Sequence, residues 1–321
     1  MLLKLSRKLC SLSSRMSRIF AISDIHVDIP ENLHFVESWS ASDYQQDVLI
    51  VAGDVTDNMT LLKSVLQSLT EKFSKVCFVP GNHDLWIRKT SDAYGQENSI
   101  SKFHAVVALC DAIGVYIRPV KVQCCNNTSA WVVPIYSWYA QPEDDPNNSL
   151  YIARDSEDVE FSKRVWMDNH MCKWPSLQRS VSQHFAELSE KFVNRSYDAP
   201  VISFSHFLPR LELIPASDEE IKHVEEERKR LKLPVLDNPR AQGAQIQFNF
   251  TRFAGSKRIE EQIRRLGPKV HVHGHQHRNR DRAIDGVRYV SFCLGYPRER
   301  SIGVIWGLSE GNGPRQIWPT E

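Results

Sequence analysis

The chain lacks any stretch of 18 apolar residues, so no membrane span is expected. It also lacks a C-x-x-C pair. Its seven cysteines, an odd number, are scattered at Cys10, Cys77, Cys110, Cys124, Cys125, Cys172 and Cys293. That usage fits a reducing, intracellular compartment better than secretion, with Cys77 and Cys110 in apolar runs that read as core. Charge of one sign is missing too. The 40 basic and 39 acidic residues leave a net charge of +1, which removes any global attraction to nucleic acid or anionic membrane. No internal repeat and no long low-complexity tract is present. What remains is 321 residues, 41% of them hydrophobic, which suits one large domain with insertions.

Residues 1–17 form a basic tail with Lys4, Arg7, Lys8 and Arg15, several serines and no acid. It lacks the continuous apolar core of a secretory signal. Two readings stay open: an organelle transit peptide, or a frayed tail with Met16 as the true start. The protein is accordingly expected in the cytoplasm, or in an organelle if the tail is a targeting segment.

Short apolar runs at 18–22, 47–52 and 75–79 read as buried strands, and Leu61, Leu62, Val65, Leu66 and Leu69 recur between two of them at helical spacing. Continuous apolar strands with helical crossovers argue for a parallel sheet covered on both faces. A helix is predicted at 99–113, from Ile100, Phe103, Val106, Val107 and Cys110. Further strands are predicted at 130–134, 201–204, 269–273, 287–292 and 302–306. Two sheets packed face to face with helices outside would use all of them. The main domain is expected over 18–318, with insertions at about 140–175 and 209–250. The second insertion contains Ser217 and Glu220 at capping-box spacing, followed by a charged run from Glu225 to Arg230 that reads as a solvated helix face.

The chemistry lies where the strands end. Ser23-Asp24-Ile25-His26, Gly53-Asp54 and Gly81-Asn82-His83-Asp84 each follow a predicted strand. Ser205-His206 and Gly274-His275-Gln276-His277 supply similar groups downstream. Asp24 and His26, two apart, can point to the same side. Gly53 lets the chain turn without crowding Asp54. Carboxylate, imidazole and amide oxygen together make a ligand set for two metal ions, and suit Mn, Fe, Zn or a mixed pair.

The ordered pattern D-x-H, G-D, G-N-H-D, a lone His, then G-H-x-H resembles the calcineurin-like metallophosphoesterase superfamily. The resemblance runs from about residue 18 to 277. It implies a four-layer αββα sandwich of two mixed sheets flanked by helices, with a di-metal site at strand C-terminal ends. It implies Asp24, His26, Asp54 and His277 on one metal, and Asp54, Asn82, His206 and His275 on the other. The implied reaction is hydrolysis of a phosphoric ester, with a metal-bridging hydroxide attacking phosphorus in line. His83 is then the general acid for the leaving alkoxide. Asp57 takes the position of an acid that orients that histidine in the related protein phosphatases, although it also reads as a turn residue before Asn58.

Departures from the pattern disfavour some branches. Val27 and Asn58-Met59 stand where the Ser/Thr protein phosphatases carry Gly and Arg-Gly. Asp57 stands where purple acid phosphatases carry a tyrosine ligand. The expected substrate is a small-molecule mono- or diester; a phosphodiesterase or nuclease acting on nucleotides or nucleic acid is the alternative, and a non-catalytic scaffold a third. Trp86, Trp138 and Tyr139 are candidates for a substrate-stacking wall, with ordinary core as the competing reading. Arg88, Arg240, Arg278 and Arg280 are candidate phosphate clamps. His271 and His273 read as structural.

Overall fold

The computed structural model describes residues 17–88, 96–124, 128–236, 247–308 and 313–319. Most of the basic tail, together with Cys10, Cys125 and Arg240, lies outside them. β1 (Ile19–Ile22), β2 (Val48–Ala52) and β3 (Lys75–Val79) pair in parallel, and β10 (Arg315–Trp318) closes the edge antiparallel to β1. Period-two alternation divides β1 between two cores. Ile19 and Ala21 face the second sheet, whereas Phe20 and Ile22 join Val36, Leu62, Leu66, Val106 and Cys110. Those outer residues come from α1 (Pro30–Glu37), α2 (Met59–Lys72) and α3 (Ser99–Ile113). Both faces are thus dry, which is why the strands read as unbroken apolar runs.

The second sheet is built from β4 (Val120–Gln123), β5 (Ser129–Pro134), β6 (Val201–Phe204), β7 (Val270–His273), β8 (Arg280–Ile284) and β9 (Val287–Ser291). Its order is β4-β5-β6-β7-β9-β8, parallel through β5, β6, β7 and β9, with antiparallel strands at both edges. α6 (Val181–Val193) and α8 (Lys257–Leu266) pack on it and on each other; Gln262 Nε2 donates to Ala186 O at 2.7 Å. Phe185, Phe192, Ile259 and Ile263 are buried in the same core as Ile202 and Val270. Each such side chain contributes about 1.5–3 kcal/mol by leaving water. Two mixed sheets flanked by helices are therefore observed, as expected.

The stretch at 140–175 carries α4 (Val159–Val165) and α5 (Asp168–Met171). α7 (Asp218–Arg230) starts with the capping box expected of Ser217 and Glu220. Its charged run is not wholly solvated. Arg228 turns inward to donate to Pro234 O and Ile302 O, and Glu227 is buried while accepting from Arg230. The strand expected at 302–306 is not formed. Pro297 starts a short helix, α9 (Pro297–Ser301), and Gly303 N then donates back to Arg300 O, so the backbone turns. Val304, Ile305 and Trp306 are nevertheless buried, which is why they imitate a strand. Among the described residues no helix is long and apolar enough to cross a membrane.

Candidate metal centre

Because β1, β2, β3, β6 and β7 run in parallel within their sheets, their C-terminal ends can converge on one edge of the sandwich. Asp24 and His26 follow β1, Asp54 follows β2, and Asn82 and His83 follow β3. His206 follows β6; His275 and His277 follow β7. Asp24, His26, Asp54, His275 and His277 have φ between 40° and 75°, in the left-handed region. Only two other non-glycine residues among those described share it. Each costs about 1–3 kcal/mol, so strain is concentrated at this point of the fold. The approach is close as well. A Cβ on Gly53 would collide with the His206 ring, and one on Gly81 with Asp54 Oδ1.

Ligand atoms of Asp24, His26, Asp54 and His277 lie within 4.8 Å of one another, as do those of Asp54, His206 and His275. Asp54 belongs to both groups: its Oδ2 is 3.9 Å from His26 Nε2 and 3.4 Å from His206 Nε2. Asn82 Oδ1 completes the second group, 3.1 Å from both His206 Nε2 and His275 Nδ1.

The outward nitrogens fix the tautomers. His206 Nδ1 contacts Ala52 O at 2.9 Å, His275 Nε2 contacts Phe253 O at 2.9 Å, and His277 Nδ1 contacts Glu299 Oε2 at 2.6 Å. A carbonyl or carboxylate only accepts, so each of these nitrogens carries its proton outward, and the inner nitrogen is the one that offers a lone pair once a cation displaces any proton on it. His26 Nε2 and His277 Nε2 face each other at 3.0 Å, which requires a proton or a cation between them. Lone pairs from four imidazoles, two carboxylates and one amide oxygen, all buried, suit a pair of borderline cations.

Charge agrees with that geometry. Burial works to raise Asp54, but His206, His83 and His26 hold it well below the usual carboxylate range. Burial would lower His206, yet Asp54 carries it up to about 9. Burial likewise opposes His277, and Glu299 and Asp24 lift it to about 9. The site thus attracts positive charge, and a cation entering it displaces protons. His83 differs: burial pushes it down to about 4. It stacks on Trp86 at 3.6 Å between centroids and meets His26 edge-on at 4.6 Å.

Behind the ligands stand two carboxylates. Asp84 accepts from the backbone N–H of Asp54, Val55, Thr56 and Gly81 at 2.8–3.0 Å, which ties the loops after β2 and β3 together. Asp168 Oδ1 accepts from Asn82 Nδ2 at 2.8 Å and from Trp86 Nε1 at 2.7 Å.

Other expected residues fall as follows. Asp57 accepts from Arg88 Nε at 2.5 Å, and no hydrogen bond joins it to His83 among the described residues. Trp138 and Tyr139 are both 1% exposed and packed against Phe207, so they are core and not a wall open to substrate. Trp86 does border the site, lining a pocket of about 180 Å³ with His83. Arg280 is buried and donates to Leu213 O and Ile214 O; it is no phosphate clamp. Arg278 Nη1 donates to His277 O at 2.6 Å. His271 is held by Ser203 and Ser205, a structural role as expected. Sequence reasoning missed Asp168, Glu299 and Tyr296, whose ring lies 4.7 Å from His26 and 4.9 Å from His277. None of them sits at a recognisable spacing from a ligand. A larger concavity of about 640 Å³, lined by residues between Lys222 and Leu236, shares no residue with the site.

Comparison with known proteins bears on the same residues. Residues 17–279 match the family model for calcineurin-like phosphoesterases. Over 290 residues the chain is 25% identical to the [acyl-carrier-protein] phosphodiesterase PptH of Mycobacterium tuberculosis (strain ATCC 25618 / H37Rv), covering 88% of this chain and 78% of that one. The crystal structure of phosphopantetheinyl hydrolase (PptH) from Mycobacterium tuberculosis shares the fold. Its TM-score is 0.67 at 22% identity, over 95% of this chain and 97% of that chain.

Proposed function

The chain belongs to the calcineurin-like phosphoesterase family, and from that premise we propose that it is a two-metal phosphodiesterase whose substrate is a phosphodiester with a phosphopantetheine-type arm. The coarser activity, metal-dependent hydrolysis of phosphoric esters, follows from the family and from the buried ligand groups. The observation that carries the two-metal reading is the shared position of Asp54, which belongs to both ligand groups. Asp24, His26, Asp54 and His277 would hold one divalent cation, and Asp54, Asn82, His206 and His275 the other. Mn, Fe and Zn, or a mixed pair, suit these nitrogen and oxygen donors. Such cations lower the pKa of water to near neutrality and offset charge on phosphoryl oxygens.

The protein's own groups do the rest. Asp84 and Asp168 hold the ligand loops in place before substrate arrives. His83 faces the same site without belonging to either ligand group. At pH 7 its free imidazole is neutral, so its first role is to donate a ring N–H to a substrate oxygen. A phosphate anion beside it favours the protonated form, which can then pass a proton to the departing alkoxide.

The diester assignment draws on the similarity to PptH across most of both chains. The free cysteines among the described residues support an intracellular setting, cytoplasmic or organellar. The test is to load the protein with Mn and compare para-nitrophenyl phosphate, its bis-para-nitrophenyl diester and a carrier protein bearing phosphopantetheine. Turnover of the diester and release of phosphopantetheine are expected. Cleavage of the monoester alone would overturn the diester reading, and cleavage of neither small substrate with metal bound would overturn the enzymatic one.

A further inference from the structure

The pocket beside His83 is walled by the segment that joins α4 to α5. Val165, Trp166 and Met167 line it together with Trp86, Tyr296 and His83, and among the described residues no lysine or arginine lines it. Val165 and Met167 are 39% and 47% exposed, two of only seven large apolar side chains left open among the described residues. Apolar surface kept open beside a reactive centre is recovered when a ligand covers it.

The aromatic walls are fixed. Trp86 is tied through Nε1 to Asp168 and has one face covered by His83. Trp166 donates to Tyr139 Oη at 3.2 Å and lies flat on Phe253, 4.6 Å between centroids at 7°. With a face of each ring already taken, neither offers a two-sided slot for a nucleobase. The volume, about 180 Å³, is below the ~300 Å³ of an ordinary ligand pocket. That size favours a slim chain over a sugar with a base. Among the described lining residues a second phosphate would find no cationic side chain. Asp168 also lines the pocket, and its Oδ2 has no hydrogen-bond partner. A buried acceptor left open in this way calls for an N–H or O–H from a ligand.

We propose that this pocket is the subsite for the uncharged arm of the substrate: a slim aliphatic chain carrying at least one amide or hydroxyl donor. The proposal rests on the diester reading above. It assigns to the segment at 165–168 the selection of such esters over nucleotides.

The test uses the Mn-loaded full-length protein and two methyl phosphodiesters, one of pantetheine and one of thymidine. Whichever P–O bond is cut, the arm under test is the group large enough to fill the pocket. The pantetheine ester is expected to have a kcat/KM at least about tenfold higher. Met167→Lys, which places a cation at the rim, should raise KM for that ester about fivefold and narrow the preference. Val165→Ser should act in the same direction. Val235→Ser, on a side chain 85% exposed and outside this pocket, should change neither. Equal kcat/KM for the two arms, or equal effects of Met167→Lys on both, would overturn the subsite. Failure to cleave the bis-para-nitrophenyl diester would instead reject the underlying function.

Discussion

Asp168 Oδ1 accepts a hydrogen bond from Asn82 Nδ2 at 2.8 Å, and this decides which end of the Asn82 amide faces the metal centre. A carboxylate near neutral pH only accepts, so the NH₂ group must point to Asp168 and the oxygen to His206 and His275. A residue from the stretch at 140–175 therefore sets a ligand built at the end of β3. Asp168→Ala is predicted to weaken one of two Mn sites about 10- to 100-fold while sparing the other. Titration calorimetry on the metal-free protein reads this directly. Loss of both sites, or of neither, would contradict it.

Asp84 plays the corresponding part for the backbone. Its four N–H partners lie on two loops, and an amide replacing the carboxylate would turn a donor toward some of them. Asp84→Asn is predicted to lower stability by at least about 2 kcal/mol, measured by urea unfolding. A change under ~0.5 kcal/mol would show that the loops hold without it.

His83 stands apart from the ligand groups, so its removal should separate chemistry from metal binding. His83→Ala is predicted to keep the metal content and lower kcat by about 10²- to 10⁴-fold for alkyl diesters. The loss should be smaller for para-nitrophenol, which leaves without help. An equal loss for all leaving groups would exclude a proton-donating role.

Away from the site, Glu190 is held down to about 2 by hydrogen bonds from Arg265, against 4.5 for the unperturbed group. Its folded pKa is depressed, so its contribution is complete above about pH 4.5 and is lost as pH falls toward 2. Solvent screening keeps it small, since the side chain is 35% exposed. The stability difference between the protein and Glu190→Gln should therefore shrink between those two values. A difference that is flat across them would refute the pairing.

The sequence was most readable where burial is two-sided. β1, β2 and β3 are continuous apolar runs, and α3 occupies the 99–113 expected from its periodicity. All seven expected ligands converge because each sits directly after a strand whose direction fixes its end. Edge strands were harder. β8 begins Arg280-Asp281-Arg282, and one face of it is wet, so no apolar run announces it. Trp138 and Tyr139 follow a strand toward the site, but sequence cannot tell a wall from the core behind it. Asp168 and Glu299 reach the ligands from segments with no regular spacing to them, and only tertiary packing shows their part.

Asp54 should join two metal ions in one working site. Metal content per chain, measured together with turnover of the bis-para-nitrophenyl diester, tests it most directly in the protein and in Asp54→Asn. Two ions per chain are predicted in the unaltered protein. The variant should hold fewer than two, with turnover reduced by about 10³-fold or more. Two ions and undiminished turnover in Asp54→Asn would contradict it.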